Sequence, residues 1–265
     1  VTQLLDRTNF LSTLSHLRRL QSPLTRTRPQ FEARELHASH LGRICPVESP
    51  EGQNIGLVKN LALSAIVSKD APPDLILEVM YHLGLVDVEQ ADDEAWRSYA
   101  KVFLNGNFVG FVEDPKDFVE KLRKLRRHRL EEGVGWQHAI PEDVGILLKD
   151  PLYPGACAEV YVDCDAGRIL RPLIVVENGK PLLTKEHIKA VKEGLLTWKD
   201  LLREGVIELI DANEEHNILS AFDVKELTPQ HTHLELADYL FLGATGAFIP
   251  FAEHNQSPRN SYEAA

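Results

Sequence analysis

The sequence predicts an α+β protein of more than one domain, with mixed helices and small, mostly antiparallel sheets. Three observations carry this. The chain has 265 residues, 43% hydrophobic and 26% charged, enough for roughly two globular units at about 100–200 residues each. Stretches with helical apolar spacing alternate with short β-leaning runs. Two Asn-Gly dipeptides, Asn105-Gly106 and Asn178-Gly179, stand beside such runs, where positive-φ residues close antiparallel hairpins.

In chain order, "DRTNFLSTLSHLRRL" predicts a helix capped by Asn9 or Ser12. Leu11, Leu14, Leu17 and Leu20 are spaced by three, and His16, Arg18 and Arg19 fall mostly off that stripe. "SPLTRTRPQFEARELH" begins as a loop presenting Arg26 and Arg28. "GLVKNLALSAIVSKD" is β-leaning and ends at Asp70-Ala71-Pro72-Pro73, read as a domain boundary. Next come a helical or mixed segment, "LILEVMYHLGLVDV", and the hairpin "KVFLNGNFVGFVED". A helix follows in "DPKDFVEKLRKLRRHRLEEG", with Asp117 near its start. Its basic run (Lys121, Arg123, Lys124, Arg126, Arg127, Arg129) is either a nucleic-acid contact or a solvated face. Flanking acids and the lack of interleaved aromatics favour the solvated face. "AEVYVDCDAGRILRPLIVVENGK" reads as strand, Asp-Ala-Gly turn, strand and Asn-Gly turn. "KEHIKAVKEGLLTWKDLLREGVIELID" reads as helix, turn and helix running into a strand at 206–210, before a short acidic helix in "ANEEHNILSAF".

Composition excludes several classes. No stretch approaches the roughly 18 consecutive apolar residues of a membrane span and no signal-peptide pattern opens the chain, so no membrane partner is expected. Three cysteines, Cys45, Cys157 and Cys164, suit a reducing compartment better than a disulfide framework. The net charge of −11 argues against nucleic acid, but residues 1–43 carry seven arginines, no lysine and a local charge of +4, leaving −15 for the rest. Arginine favours bidentate recognition of phosphate or carboxylate. The chain opens on Val1 rather than Met and stops at "NSYEAA", where a helix would begin, so it is expected to be a piece of something longer. No nucleophile elbow or Walker loop is present. Asp163-Cys164-Asp165 is read as the start of a turn, and His37, His40, His231 and His233 lack a third metal ligand at workable spacing.

Two proline-punctuated polar corners remain. In "ICPVESPEGQNIGL", Pro46 and Pro50 fix φ while Gly52 and Gly56 permit tight turning. Glu48, Glu51, Gln53 and Asn54 then project from a backbone with little freedom left. In "FIPFAEHNQSPRNSYEAA", Pro258 fixes the chain just before Arg259, an arrangement suited to clamping a phosphate. On chemistry alone each corner is equally an ordinary capped loop.

The segment "DRTNFLSTLSHLRRLQSPLTRTRPQFEARELHASHLGRICPVESPEGQNIGLVKNLAL" closely resembles the fork region of the second-largest subunit of cellular RNA polymerases. "DAGRILRPL" and "IPFAEHNQSPRNSYEAA" resemble that subunit's later external and hybrid-binding segments, in the right order. "SPLTRTRPQFEARELH" is like archaeal and eukaryotic subunits and lacks the glycine-rich fork loop of the bacterial one; the archaeal type is expected, with a cytoplasmic location, or a nuclear one if the source is eukaryotic. The resemblance implies a fragment divided into fork region (1–69), first external domain (70–153), second external domain (154–225) and start of the hybrid-binding region (226–265). It implies DNA-directed RNA polymerase activity, a two-metal nucleotidyl transfer in which Mg2+ is bound mainly by the largest subunit and not by this chain.

The same resemblance assigns residues. Arg259 falls on the arginine that contacts the incoming nucleoside triphosphate, and Arg34 on a fork arginine near the nucleotide and the downstream template. Glu51 and Gln53 line the active centre near the mobile trigger loop. Arg26 and Arg28, in the fork loop, meet DNA phosphates. Asp6, His16, Arg18 and Arg19 fall on the wall beside the RNA–DNA hybrid, where rifamycins bind the bacterial enzyme; Gln21 replaces a bacterial serine there. His254 and Asn255 match the motif in a supporting role. Implied partners are the largest subunit, the other polymerase subunits, template DNA, the hybrid and nucleoside triphosphates. The alternative is a structural module whose acidic surface docks other subunits or transcription factors.

Overall fold

The computed structural model describes residues 2–26, 30–128 and 140–265. Two compact units are present, one of Val1–Ile66 with Ala237–Ala265, the other of Val67–Leu236. Both are α+β; elements are numbered along the chain.

In the first unit, α1 (Phe10–Leu17) opens with a reciprocal capping box. Ser12 N donates to Asn9 Oδ1 at 2.7 Å and Asn9 N to Ser12 Oγ at 3.1 Å, satisfying two otherwise orphaned helix-end donors. The leucine spacing does not make the buried face. Leu14 and Leu17 are exposed and Ser15 is the buried residue, because a spacing of three falls short of the 3.6-residue turn and winds round the helix. The strand β1 (Arg19–Gln21) pairs antiparallel with β2 (Val58–Asn60), closing a loop that contains the one-turn helix α2 (Phe31–Arg34) and the first polar corner. The helix α8 (Ser257–Ala264) closes this unit. The strand β3 (Ile66–Val67) lies where the chain passes from one unit to the other.

In the second unit, α3 (Pro73–His82) and α5 (Pro115–Arg126) pack on a five-stranded sheet. The sheet comprises β4 (Val86–Asp87), β5 (Ala100–Leu104), β6 (Asn107–Val112), β7 (Gly145–Lys149) and β8 (Glu159–Asp163), in the order β4-β6-β5-β8-β7. Alternation of buried and half-buried residues along β5 and β8 gives it one core face. The predicted hairpin is β5–β6, with Asn105 and Gly106 at φ 48° and 79°. The short helix α4 (Asp93–Ser98) precedes it, capped by the Asp92 carboxyl. The Asp-Ala-Gly turn does join two strands, but they enter different sheets. The second, β9 (Ile169–Glu177), turns at Asn178-Gly179 into β10 (Lys180–Pro181). It also pairs antiparallel with β11 (Ile207–Ile210) and β13 (His233–Leu234), and β13 pairs parallel with β12 (Ser220–Ala221). The predicted helix pair is α6 (Lys185–Lys192) and α7 (Trp198–Arg203).

Only part of the basic run on and after α5 is a solvated face, and Arg129 lies outside the described residues. Lys121 and Lys124 do make i,i+4 pairs with Asp117 and Glu120. Arg126, however, is only 2% exposed. Its Nη1 donates to Glu214 Oε2 at 2.6 Å and Val144 O at 2.7 Å, and its Nη2 to Glu214 Oε1 at 2.8 Å and Glu208 Oε1 at 2.9 Å. Arg127 holds Glu208 bidentately at 2.9 and 2.8 Å, and His233 Nε2 lies 2.9 Å from Glu208 Oε2. Arg123 adds an ion pair to Glu214 at 3.3 Å. Burial alone would lower Arg126's pKa, but the Glu214 and Glu208 carboxyls outweigh it and raise it. Burial likewise pushes Glu208 up, and the Arg126 and Arg127 guanidiniums more than reverse this, holding it well below the usual carboxylate range.

A folded pKa lower than the unfolded one contributes stability that is present above the unfolded value and lost as pH falls through the folded one. The urea midpoint of this unit is therefore expected to hold between about pH 8 and 5 and to fall below about pH 4, where free carboxylates protonate. Glu208→Gln should flatten that fall; a midpoint that drops equally in the variant would assign the acid loss to other groups.

Candidate nucleic-acid interface

The first polar corner is held by its own turns and by groups that reach it from β2 and α2. Cys45 N donates to Asn60 O at 2.9 Å, and Gly56 N to Ser49 Oγ at 3.0 Å. A 3-10 turn spans Gly52–Asn54, and Gly52 and Gly56 both take left-handed φ, +72° and +70°. Arg34 reaches across from α2, its Nη1 donating to Gln53 O at 2.8 Å and Ile55 O at 2.7 Å. The corner thus leaves Glu51 and Gln53 exposed on a fixed backbone.

Glu48 does not project with them. It is 5% exposed, and its Oε1 accepts Thr245 N at 2.7 Å and Gly246 N at 2.9 Å. Nothing beside Glu48 in the chain announces this: the amides that donate to it lie in the distant glycine-rich stretch "LGATGAF", which lets backbone approach backbone.

The arginines divide into two kinds. Arg18 turns inward, Nη2 donating to Ala62 O at 2.5 Å and Leu63 O at 3.4 Å, so it fastens the chain after β2. Arg19 and Arg26 are exposed and line one cavity of about 470 Å3 with Asp6, Ser15, Glu48, Asn54 and Asn60. Arg28 lies outside the described residues. His16 Nδ1 accepts Asp6 N at 3.0 Å, which holds the segment before α1 on that helix.

In the second corner, Phe251 takes φ 52°, a left-handed conformation that strains a bulky residue, and its ring lies edge-on to His254 at 5.7 Å. Asn255 Nδ2 donates to Asn260 Oδ1 at 3.0 Å and Asn260 Nδ2 to Ala252 O at 2.8 Å, fixing the turn into α8. Arg259 is exposed in the first turn of that helix, its guanidinium carbon 5.7 Å from the Tyr262 ring centre. Among the described residues no three His, Cys, Asp or Glu side chains gather to hold a metal, and no helix is long and apolar enough to cross a membrane.

Family models for RNA polymerase Rpb2 match in succession: domain 3 over residues 3–67, domain 4 over 102–177 and domain 5 over 198–239. The whole chain is 47% identical to DNA-directed RNA polymerase subunit Rpo2 of Sulfolobus acidocaldarius. The chain belongs to the Rpb2 family of RNA polymerase second-largest subunits. It is 36% identical over its whole length to subunit RPC2 of RNA polymerase III from Schizosaccharomyces pombe, and 36% to subunit RPB2 of RNA polymerase II from Encephalitozoon cuniculi. The chain spans 22–23% of the length of these relatives. Its higher identity with the archaeal subunit supports the archaeal type that the fork wording suggested, and the resemblance drawn from the fork and "SPRN" segments is borne out. The buried ion-pair cluster of α5 joins residues of two separately matched stretches, Arg126 in one and Glu208 and Glu214 in the other.

Proposed function

We propose that this chain, as part of a second-largest subunit of DNA-directed RNA polymerase, lines the active-centre cleft and contacts template DNA, the RNA–DNA hybrid and the incoming nucleoside triphosphate. What carries the reading is the pair of rigid polar corners. One presents Glu51 and Gln53 from a backbone gripped by Arg34; the other presents Arg259 at the start of α8. Arg259 meets a triphosphate oxygen through charge-assisted hydrogen bonds, and its placement in a fixed turn reduces what is lost on ordering it. Arg19 and Arg26 supply positive charge to nucleic-acid phosphates, while Arg18 and Arg34 hold the surrounding backbone in shape. Mg2+, held mainly by the largest subunit, supplies Lewis-acid chemistry for nucleotidyl transfer when bound. This chain's own contribution is to bind and orient.

The test is Arg259→Ala in the reassembled polymerase. A hydrogen bond to a charged group is worth about 1.5–3 kcal/mol, so the nucleotide KM should rise about tenfold or more while assembly stays normal. Arg259→Lys should recover part of the loss, since it returns the charge without the fork. Normal elongation with impaired assembly would instead favour a docking module. The exposed apolar residues of α6 and α7 (Ile188, Val191 and Trp198), together with Leu195 between them, are the observation that favours that second reading.

A further inference from the structure

We infer that Glu48 is a positioning residue for Arg259, setting the distance between the nucleotide-facing helix α8 and the "SPEGQN" corner; this rests on the nucleotide role proposed for Arg259. Three observations of the first unit converge on it. The Glu48 carboxyl is buried, and one oxygen, Oε1, accepts both Thr245 N and Gly246 N. Those two amides open the 3-10 turn Gly246–Phe248, and α8 packs against that turn. Residue 243 approaches so closely that a Cβ there would lie 2.5 Å from Glu48 Oε1 and 3.1 Å from Cys45 Cβ, so the contact is built into the backbone path.

Glu48 is itself fixed from the other side. Asn60 Nδ2 donates to Glu48 O at 3.3 Å, Asn60 O accepts Cys45 N at 2.9 Å, and Ser15 Oγ of α1 lies 3.5 Å from Asn60 Oδ1. A continuous polar chain therefore runs from α1 through Asn60 and Glu48 to the turn that seats α8. One carboxyl oxygen shared between two amides, each at or under 2.9 Å, constrains direction as well as distance. Glu48 lies in the first corner and Arg259 on the second, so a change at residue 48 alters where Arg259 stands without touching nucleotide.

The experiment is a double-mutant cycle in the reassembled polymerase, reading nucleotide KM and kcat separately, with template affinity as a control. A displacement of about 1 Å can cost up to a hundredfold, so Glu48→Ala is expected to raise KM about tenfold, with template affinity unchanged. Glu48→Gln, which keeps an acceptor oxygen at the same reach, should restore most of the affinity. In the Arg259→Ala background, Glu48→Ala should add nothing further, because both act on one contact. If Glu48→Ala fails to assemble, Glu48→Asp, shorter by one methylene, runs the same cycle. Effects that multiply across the cycle, or a Glu48→Gln variant as impaired as Glu48→Ala, would overturn the positioning role while leaving the Arg259 reading intact. A normal KM in Arg259→Ala alone would remove the nucleotide role and this inference with it.

Discussion

Arg126→Ala is expected to destabilise the Val67–Leu236 unit by about 3–5 kcal/mol, the usual cost of breaking one partner out of a buried ion pair. The substitution removes four hydrogen bonds at once and leaves Glu214, 1% exposed, with Arg123 as its remaining ion-pair partner. Glu208 keeps Arg127 and His233, so the damage concentrates at the 3-10 turn Glu214–Asn217. That turn covers the edge of β7, where Leu148 N donates to Asn217 Oδ1 at 2.8 Å and Asn217 Nδ2 to Leu148 O at 2.7 Å. Hydrogen exchange should show the protection of Ile146 and Leu148 amides, which point to Glu214 and Asn217, collapsing before that of β5 and β6. Urea unfolding gives the size of the loss. A change below about 1 kcal/mol, the range of exposed pairs, would mean that the pairing is open to water in solution. Arg126→Met together with Glu214→Leu should recover most of the stability, because a buried ion pair replaced by packed apolar groups is often neutral. The cluster then fixes geometry between α5 and β11 more than it adds net stability.

This cluster also marks what the sequence left unread. The helix α5 was legible, with Asp117 near its start, yet the basic run looked like a water-facing stripe. Arg126 in fact lies four residues beyond Leu122 and eight beyond Phe118, on the buried face. Its carboxylate partners are more than eighty residues away in the chain, and no local spacing announces a pair formed at that distance. The hairpins, by contrast, were readable because Asn-Gly turns are decided within four residues. The first polar corner was readable as rigid for the same local reason. Which of its carboxyls points out was not: Glu48 and Glu51 stand three apart with similar neighbours, and only the distant amides of Thr245 and Gly246 make one of them a buried acceptor. The leucines of α1 are the opposite case: their stripe was plain in the chain, yet it does not become a buried face, because a spacing of three does not keep one side of the helix.

Gly56→Ala should break the corner that presents Glu51 and Gln53, whereas Gly52→Ala, four residues earlier, should be mild. Both glycines take left-handed φ, +70° and +72°, so each alanine meets a similar backbone strain of about 1–3 kcal/mol. The surroundings separate them. A Cβ on Gly52 meets nothing within 4 Å, while one on Gly56 would lie 2.4 Å from Arg34 O and 2.5 Å from Arg34 Cα. Those are backbone atoms, which cannot swing aside as a side-chain end can. Accommodating the methyl group requires α2 and the corner to separate, and Arg34 then loses Gln53 O and Ile55 O together. In hydrogen exchange, Gly56→Ala should strip protection from the Ile55 and Leu57 amides, which close the turn onto Gly52 O and Asn54 O at 3.1 and 3.0 Å; Gly52→Ala should leave most of it. In the reassembled polymerase the same pair separates rigidity from composition, since neither glycine carries a side chain that could touch substrate. A larger fall in elongation for Gly56→Ala than for Gly52→Ala would tie activity to the Arg34-gripped backbone. Equal falls would tie it to the left-handed turn alone, and Arg34 would then act through its own charge rather than as the clamp that holds the corner.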